Sequence, residues 1–413
     1  MGFNFKSGQL FAESLNVKEI AEKEGTPVYI YSKNHMQNQF KKLDGAFSRK
    51  HIISFAIKSN SNLNIIKLFS ALGAGADIVS KCELFRAKKA GVDPQKVVFS
   101  GVAKTVNEIE YALENNILMI NAESYDELLA INETAARLGK KARIALRVNP
   151  DVDPKTHPYI STGLKKNKFG IPYDEAFEVY LKAKEMKNIE IYGIQFHIGS
   201  QLTDISPIAD ASAKVADLMK HLRDKNINFR AVDVGGGLGI VYSDEDNPPD
   251  VKEYAKNVER AFSDFKDAVI VCEPGRFLTG NGGILVTKIL YHKKNGEKNF
   301  IIIDAGMNDL LRPSLYQAYH KIKPVMQSGR PKIKCDIVGP ICETGDFFAR
   351  DYEIENIDNG GLLSVFSTGA YGFSMASNYN SKPKASEILV DDNSYTIIRK
   401  RETCEDLISG ELI

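Results

Sequence analysis

The sequence predicts an α/β protein in which a TIM-like (β/α)8 barrel is joined to a C-terminal β-rich domain of the sandwich or barrel type. From residue 28 to about 273, short apolar runs alternate with segments of helical period, the pattern of βα units on a parallel sheet. After Arg276 the runs remain strand-like, but Gly, Asn and Asp separate them and the helical period is largely lost. This change predicts an all-β domain after the barrel.

The number of apolar runs favours the barrel. VYIYS at residues 28–32 is an extra run ahead of eight others, which are residues 52–58, 76–80, 96–101, 117–121, 142–149, 191–199, 229–237 and 268–275. Eight strands over roughly 250 residues is the number that a (β/α)8 barrel requires. A doubly wound open sheet could hold a similar number, but no break between two nucleotide-binding halves interrupts the regular spacing.

Composition limits the classes of partner. Lys+Arg 54 against Asp+Glu 53 gives a net charge of +1, so no global field favours nucleic acid or an anionic membrane. There is no long apolar run and no signal-peptide pattern, so we expect a cytoplasmic protein with a small-molecule partner. The five cysteines are scattered without CxxC spacing, which argues against a disulfide framework and a structural zinc site.

Polar residues stand where the predicted barrel strands end. Lys58 ends the first strand, Asp77 lies in the second and His197 ends the sixth, while residues 235–237 (GGG) and 273–276 (EPGR) end the seventh and eighth. Reactive groups of (β/α)8 barrels lie at this end of the strands. These residues are therefore candidates for one shared site.

Lys58, in FAIKSN, has two interpretations. A lysine at a strand end commonly extends its ammonium group into solvent. Alternatively, partial desolvation and cationic neighbours lower the pKa of an amine, and a neutral amine can form a Schiff base with a carbonyl compound. The residue alone does not decide between them.

The glycine run and the neighbouring acid suggest a specific cofactor. GGGLG (235–239) can bring backbone N–H groups close to a phosphate, whereas its spacing differs from the GxGxxG of dinucleotide sites; a turn without ligand is the remaining alternative. A phosphate would repel Glu273 unless that acid faces a protonated ring nitrogen. Pyridoxal 5'-phosphate carries the phosphate, the ring nitrogen and an aldehyde for Lys58. His197 would then stack on the cofactor ring and Ser200 would contact the phosphate, although a histidine here can also be purely structural.

The C-terminal part adds two further candidates. Cys342 lies in a turn (CETGD), where partial exposure suits proton donation, although a lone cysteine is more often structural. Arg312, in NDLLRPSLY, could hold a carboxylate with two hydrogen bonds, or could be a surface arginine.

Together, FAIKSN, FHIGSQL, DVGGGLG, EPGR, DAGMNDLLRPSLY, CETGD and GAYGFSMASNYN closely resemble the diaminopimelate decarboxylases. These belong to the alanine racemase and ornithine decarboxylase fold type of pyridoxal phosphate enzymes. The resemblance runs from about Gly25 to the C-terminus. It implies a cofactor-binding barrel over residues 27–275, a β-rich domain built from residues 1–26 and 276–413, and a homodimer with active sites at the subunit interface.

The resemblance also implies a role for individual residues. Lys58 would be the Schiff-base lysine, and Cys342 of the other subunit would donate the proton that replaces carbon dioxide. The implied cofactor-binding residues are Lys58, Asp77, His197, Ser200, Gly236, Gly237, Glu273, Pro274, Gly275, Arg276 and Tyr371. The implied substrate-binding residues are Arg276, Arg312 and Tyr316 at the retained carboxylate, and Glu343 and Tyr371 near the distal ammonium. His197 and Lys58 would act in catalysis together with Cys342.

The implied reaction is decarboxylation of meso-2,6-diaminopimelate to L-lysine, the last step of lysine biosynthesis. Two arginines with an acid alongside suit the amino acid end that the substrate keeps. Residues 80–83 (SKCE) are more similar to the ornithine decarboxylases, so a decarboxylase for ornithine, arginine or carboxynorspermidine remains the alternative. An amino acid racemase would share Lys58 and the fold. A storage module for pyridoxal phosphate could be a barrel alone, which the residues after Arg276 argue against.

Overall fold

The structure, a computed structural model, describes residues 2–153 and 167–412. The described chain forms two compact units. The β-rich unit contains the residues through Asn38, Val241–Asp246 and the residues from Leu278 onward, and the barrel unit contains Gln39–Ile240 and Asn247–Phe277. The division therefore differs from the sequence-based bounds around residues 27–38 and 241–246.

The N-terminal segment contributes to the β-rich unit. It consists of β1 (Phe3–Lys6), β2 (Gln9–Ala12), β3 (Leu15–Asn16), α1 (Val17–Glu24), β4 (Val28–Ser32) and α2 (Lys33–Asp44). The Asn16 side chain caps α1 by accepting a hydrogen bond from the Lys18 N–H at 2.9 Å, which satisfies a donor that the first turn leaves unpaired. The run VYIYS forms β4, which pairs with strands from the C-terminal part and not with the barrel.

Eight strands in the described residues close the predicted barrel. The eight strands are β5 (His51–Ala56), β6 (Gly75–Ile78), β7 (Val97–Phe99), β8 (Met119–Ala122), β9 (Ala142–Asn149), β11 (Ile189–Gln195), β12 (Ala231–Asp233) and β13 (Val269–Cys272). The short strand β10 (Ile171–Pro172) pairs with β9 outside this ring. Neighbours pair in parallel, β8 pairs with β9, and β13 pairs with β5 to close the ring. The (β/α)8 barrel is therefore confirmed, and each of the eight predicted runs overlaps one of its strands.

Helices follow the barrel strands, and several of them begin at polar caps. They are α3 (Leu63–Ala71), α4 (Lys81–Lys89), α5 (Val106–Glu114), α6 (Tyr125–Arg137), α7 (Tyr173–Glu185), α8 (Ser206–Arg223), α9 (Val251–Ala261) and α10 (Arg276–Thr279). Asn62, Ser80, Thr105 and Ser124 each cap the helix that follows with a side-chain oxygen. Within the described residues, no helix combines the length and apolar character needed to cross a membrane.

The barrel interior changes from apolar to polar toward the carboxyl ends of the strands. Val98, Met119, Ala145, Ala231 and Val271 form one buried apolar cluster. Because side chains on a strand alternate between its two faces, a residue two positions later points into the same interior. Two positions after each residue of the apolar cluster, the buried side chain is polar, and these side chains are Ser100, Asn121, Arg147, Asp233 and Glu273. This polar layer lies where a barrel of this fold class places its reactive groups.

The C-terminal part forms the remaining strands. They are β14 (Gly283–Asn295), β15 (Lys298–Ile303), β16 (Ile322–Pro324), β17 (Lys332–Val338), β18 (Phe347–Glu355), β19 (Leu362–Val365), β20 (Ser386–Asp391) and β21 (Ser394–Arg399), with α11 (Arg312–Tyr316) and α12 (Cys404–Ile408). One sheet runs in the order β18-β17-β15-β14-β4-β20-β21, and β19 pairs with β14 and β16. The predicted β-rich domain that includes the N-terminal segment is therefore confirmed, with Val28, Ile30, Ile284 and Ile388 in its core.

Candidate active site

Lys58 and Asp77 form an ion pair at the carboxyl ends of β5 and β6. A single 3-10 turn, Ile57–Ser59, follows β5 and carries Lys58 out of the strand. The Lys58 Nζ donates to Asp77 Oδ2 at 2.6 Å, and the lysine side chain is 40% exposed whereas Asp77 is fully buried. The second oxygen, Asp77 Oδ1, is buried without a hydrogen-bond partner among the described residues. The pair thus combines a reachable amine with an acid that can accept one further donor.

Glu273 and Asp233 form a second acidic group in the polar layer. The Asn121 amide donates to Asp233 Oδ2 at 3.3 Å and to Glu273 Oε1 at 3.4 Å. Burial raises the pKa of Glu273 well above its usual value, and the charges of Asp233 and Asp77 raise it further. Burial also raises the pKa of Asp233, to about 7. Two buried carboxyl groups this close do not both ionise, so Glu273 keeps its proton unless a cation faces it.

The sequence-based prediction missed Asp233, Asn121 and Ser100 as members of the site. Asp233 directly precedes the glycine run in DVGGGLG, and Ser100 also donates to Glu273 Oε1, at 3.2 Å. The sequence contains one pattern that could have identified them. Near the ends of several strands, a polar residue stands two positions after an apolar one.

The glycine run packs closely against its neighbouring loops. A Cβ on Gly236 would clash with the carbonyl oxygen of Glu273, and a Cβ on Gly237, whose φ is 116°, would lie 2.7 Å from the Gly199 carbonyl oxygen. Only glycine fits where two turns approach in this way, and it leaves the backbone exposed to a ligand. The close approach of these loops therefore requires glycine at both positions.

His197 is a neutral imidazole beside that loop. The Gly236 N–H donates to His197 Nδ1 at 3.3 Å, so the ring proton resides on Nε2. Burial lowers the pKa of His197 well below its usual value, and the charges of Arg147 and Lys58 lower it further. An uncharged flat ring at this position suits contact with an aromatic cofactor.

Arg276 and Ser200 lie together at the same end of the barrel. The buried Arg276 donates from Nε and Nη2 to Ser200 Oγ at 3.2 and 3.0 Å. The Pro274 carbonyl oxygen accepts a hydrogen bond from the Ala56 N–H at 3.1 Å, which ties the EPGR turn to the end of β5. A Cβ on Gly275 would lie 2.9 Å from Ser59 Cβ, so this turn also needs its glycine. The predicted barrel residues that collect at the carboxyl ends of the strands are Lys58, Asp77, His197, Ser200, Gly236, Gly237, Glu273, Pro274, Gly275 and Arg276.

In the β-rich unit, Arg312 is buried and oriented by its neighbours. It begins α11, and its Nη1 donates to His320 Nε2 at 2.8 Å. The guanidinium lies 5.0 Å from the ring centroid of Tyr242. Arg312 is therefore not a surface arginine, and the sequence-based prediction missed both His320 and Tyr242.

The other predicted residues of this unit lie at α11 or on loops. Tyr316 ends α11, and Tyr371 has a left-handed backbone with φ 57°. Cys342 and Glu343 are exposed, and the Cys342 N–H donates to Asn380 Oδ1 at 2.8 Å. A hydrogen bond to Glu343 raises the pKa of the exposed Tyr379. Cys342 is thus accessible, as a proton donor must be.

The barrel residues fit pyridoxal 5'-phosphate. Asp77 Oδ1 lacks a donor among the described residues, Glu273 is a buried acid that only a cationic partner would ionise, and the glycine run approaches its neighbouring loops too closely for larger residues. The cofactor supplies a cationic ring nitrogen and a phosphate, and its aldehyde reacts with amines such as that of Lys58.

Comparison with known proteins agrees with this fit. A family model described as "Pyridoxal-dependent decarboxylase, pyridoxal binding domain" matches residues 33–280. The diaminopimelate decarboxylase of Aquifex aeolicus is 50% identical over 408 residues, which cover 99% of this chain and 97% of the relative. Two solved structures described as complexes with L-lysine are also similar. The diaminopimelate decarboxylase of Helicobacter pylori has a TM-score of 0.92 and 46% identity, covering 95% of this chain and 98% of the other. That of M. jannaschii has a TM-score of 0.95 and 39% identity, covering 100% and 98%.

Proposed function

The chain belongs to the diaminopimelate decarboxylases, a family of pyridoxal-dependent decarboxylases, and we infer that it converts meso-2,6-diaminopimelate into L-lysine and carbon dioxide. The observation that carries this proposal lies at the carboxyl ends of the barrel strands. There an accessible lysine paired with Asp77 follows β5, and the buried acid Glu273 follows the neighbouring strand β13. Full-length similarity to relatives of this one activity supports the choice of substrate.

Each barrel residue would perform one task around the cofactor. Bound pyridoxal phosphate supplies an electron sink for the bonding electrons that remain when carbon dioxide leaves. Lys58 would hold the aldehyde carbon covalently through Nζ, and Glu273 would keep a proton on the ring nitrogen. His197 would support one face of the ring. The phosphate would be held by Ser200, Gly236, Gly237, the 273–276 turn and Tyr371.

Residues of the β-rich unit would bind the end of the substrate that does not react. Arg312 and Tyr316, together with Arg276, would hold the retained carboxylate, because arginine forms paired hydrogen bonds with carboxylates. Glu343 would face the distal ammonium group, with Tyr371 nearby. Ornithine lacks this second carboxylate, so these cations favour diaminopimelate over ornithine.

Cys342 would donate the proton that replaces carbon dioxide at the substrate carbon. Its thiol is exposed within one protomer, and we propose that it serves the active site of a partner in a homodimer. The protein would work in the cytoplasm, where the thiol stays reduced.

The SKCE stretch does not favour the alternative substrates. The Ser80 side chain caps α4, and Lys81 and Cys82 are exposed at the start of that helix. The Glu83 carboxylate accepts a hydrogen bond from the Val79 N–H at 2.6 Å. The described hydrogen bonds of this stretch are those of a helix cap, and they favour no particular substrate.

The direct test is a substrate panel. Purified protein with pyridoxal phosphate should release carbon dioxide and lysine from meso-diaminopimelate, and Arg312→Ala should raise KM for this substrate without a comparable effect on ornithine. Failure to form lysine, or turnover of ornithine alone, would reject the proposal. Deuterium from solvent at Cα with the carboxylate retained would instead identify a racemase.

A mixing experiment tests the role of Cys342 in a dimer. Cys342→Ala should lower kcat by about 10²-fold or more with little change in KM, because a proton donor acts in the transition state. Lys58→Ala homodimers should also be inactive. When the two variants are mixed and re-equilibrated, half of the dimers should be heterodimers, and each heterodimer has one intact site out of two. The mixture should therefore regain about a quarter of wild-type activity. No recovery in confirmed heterodimers would place Cys342 in its own protomer's site.

A further inference from the structure

His320 is a buried partner of Arg312 in the β-rich unit. The histidine is only 1% exposed and Arg312 only 6%. His320 Nδ1 lies 2.8 Å from the Phe366 carbonyl oxygen, and Nε2 lies 2.8 Å from Arg312 Nη1. The Tyr242 ring meets the His320 ring edge-on at 5.4 Å and also lies against the Arg312 guanidinium.

The direction of each hydrogen bond determines the state of the imidazole. A guanidinium only donates, so His320 Nε2 must accept and carries no proton. A carbonyl oxygen only accepts, so the proton of the ring must be on Nδ1. His320 is therefore a neutral histidine in a single tautomer, with both nitrogens used.

A neutral acceptor has a specific advantage beside a ligand-binding arginine. It orients the guanidinium through one N–H group but does not compensate its positive charge, as a carboxylate would. The contact with His320 therefore leaves the positive charge of Arg312 in place to attract an anionic ligand. The Tyr242 ring restricts the guanidinium from a second side.

We propose that His320 is a positioning residue that holds Arg312 in the orientation needed to bind the retained carboxylate of the substrate. The proposal rests on the role assigned to Arg312 in the proposed function. His320 itself does not touch the reacting atoms, so its removal should weaken binding and leave the chemical step intact.

The same geometry makes substrate binding sensitive to acid. Protonation would turn Nε2 into a donor that faces the donor Nη1 of Arg312 and would place two cations 2.8 Å apart. Charged or titratable groups on the packed segments include Lys321, which pairs with Asp244 at 2.7 Å, and Asp246, which accepts from the Tyr242 N–H at 2.7 Å. They also include Tyr242 and Tyr319, and the Tyr319 ring lies beside that of Tyr352. Tyr352 is held by the backbone of Ile322, donating to its carbonyl oxygen at 3.0 Å. Because a protonated Nε2 cannot accept the hydrogen bond of Arg312, acidification should release Arg312 and raise KM.

Two variants of His320 separate orientation from packing. His320→Gln keeps an acceptor near the position of Nε2, whereas His320→Phe keeps a ring and removes the acceptor. We expect His320→Phe to raise KM for meso-diaminopimelate, and the dissociation constant of L-lysine measured by calorimetry, about tenfold, with kcat within about twofold. His320→Gln should remain near the wild type. The exposed His221 supplies a control, since His221→Gln should change neither constant.

The pH profile gives a second readout. The KM of the wild type should rise on acidification more steeply than that of His320→Gln, which has no imidazole to protonate. If His320→Phe does not fold, this comparison decides the question alone. Equal KM values for His320→Phe and the wild type, equal impairment of the Phe and Gln variants, or identical pH profiles would each overturn the positioning role.

Arg312→Ala separates this inference from the function on which it rests. If Arg312→Ala leaves KM unchanged, the role of Arg312 itself is wrong. If Arg312→Ala raises KM but His320→Phe does not, only the positioning role is wrong. In the Arg312→Ala background, His320→Phe should cause no further increase, because the two residues act through one interaction.

Discussion

Two lysine–acid pairs lie at neighbouring strand ends of the barrel, and they differ in how completely they are satisfied. Lys104, in the loop after β7, is 1% exposed and donates to Glu127 Oε1 at 2.7 Å. It also donates to the Gly101 and Asn121 carbonyl oxygens at 2.6 and 2.7 Å, which occupies all three protons of the ammonium group. Lys58 is 40% exposed, and its partner Asp77 has an oxygen without a donor.

The difference separates a structural lysine from a reactive one. A saturated, buried ammonium group is held as a cation and cannot approach a ligand. A lysine with solvent access can instead approach a ligand, and its amine can form a covalent bond to a carbonyl carbon. The following predictions test this contrast, in order of decreasing expected effect.

Lys58→Ala should have the largest effect on the chemical step. We expect kcat to fall by 10⁴-fold or more, as on removal of other covalent catalytic groups. Borohydride should no longer fix the cofactor to the chain, as mass spectrometry can check. The melting temperature of the cofactor-free protein should fall as well, because the substitution leaves the buried Asp77 without its cation. A reduced covalent adduct retained in this variant would contradict the assignment.

Lys104→Ala should have the opposite pattern. Its removal leaves Glu127 buried without its cation, which should lower the free energy of unfolding by about 3–5 kcal/mol in denaturant titrations. Below the unfolding transition, kcat should stay within about twofold of the wild type. A variant as stable as the wild type but inactive would show that Lys104, too, is a functional lysine.

Glu273→Gln tests the acid in the polar layer. Glutamine resembles the protonated carboxyl that burial favours, so the cofactor-free protein should be as stable as the wild type or more stable. With cofactor bound, kcat should fall by about 10²–10³-fold, because an amide cannot stabilise a proton on the ring nitrogen.

Glu127→Gln is the matched control for that substitution. It should lower stability, because Lys104 loses its anionic partner, and should leave kcat nearly unchanged. If both variants lost kcat equally, Glu127 would be as important for the reaction as Glu273, and the distinction between a structural and a reactive pair would be wrong.

Asp233→Asn should give the smallest effect, a change in the pH dependence of stability. The pKa of Asp233 is raised to about 7 in the folded protein, from a usual value of 3.8. The folded state therefore binds more protons than the unfolded state between these values, and stability falls as pH rises through that window. Denaturation of cofactor-free protein from pH 4 to 7 should show a shallower decline in the variant. Burial also raises the pKa of Asp309 to about 7. This residue therefore contributes part of the pH dependence of stability in both proteins.

Much of the barrel site could be predicted because its signals are local. A strand of apolar residues that ends in Lys58, or in the EPGR turn, is visible in a window of a few residues, and the fold class places all such ends together. The glycines of residues 235–237 were equally visible, because close backbone approach excludes every larger residue.

Other features were not visible because they depend on distant partners. VYIYS has the composition of any buried strand, and only its pairing with β14 and β20 assigns it to the β-rich unit. Asn121 and Asp233 come from strands far apart in sequence, and their importance arises where both approach Glu273. His320 lies eight positions after Arg312, in a segment that leaves its helix after Tyr316, so no helical spacing connects the two residues.

The amino-acid sequence by itself determined the order of strands and helices, the positions of the turns and the identity of the reactive side chains. These follow from periodicity, glycine conformation and chemistry that each segment carries alone. Only the tertiary structure decided which acids keep their protons, which lysine is saturated and which histidine orients Arg312. Those properties depend on burial and on contacts between residues far apart in the chain, and neither exists before the chain folds.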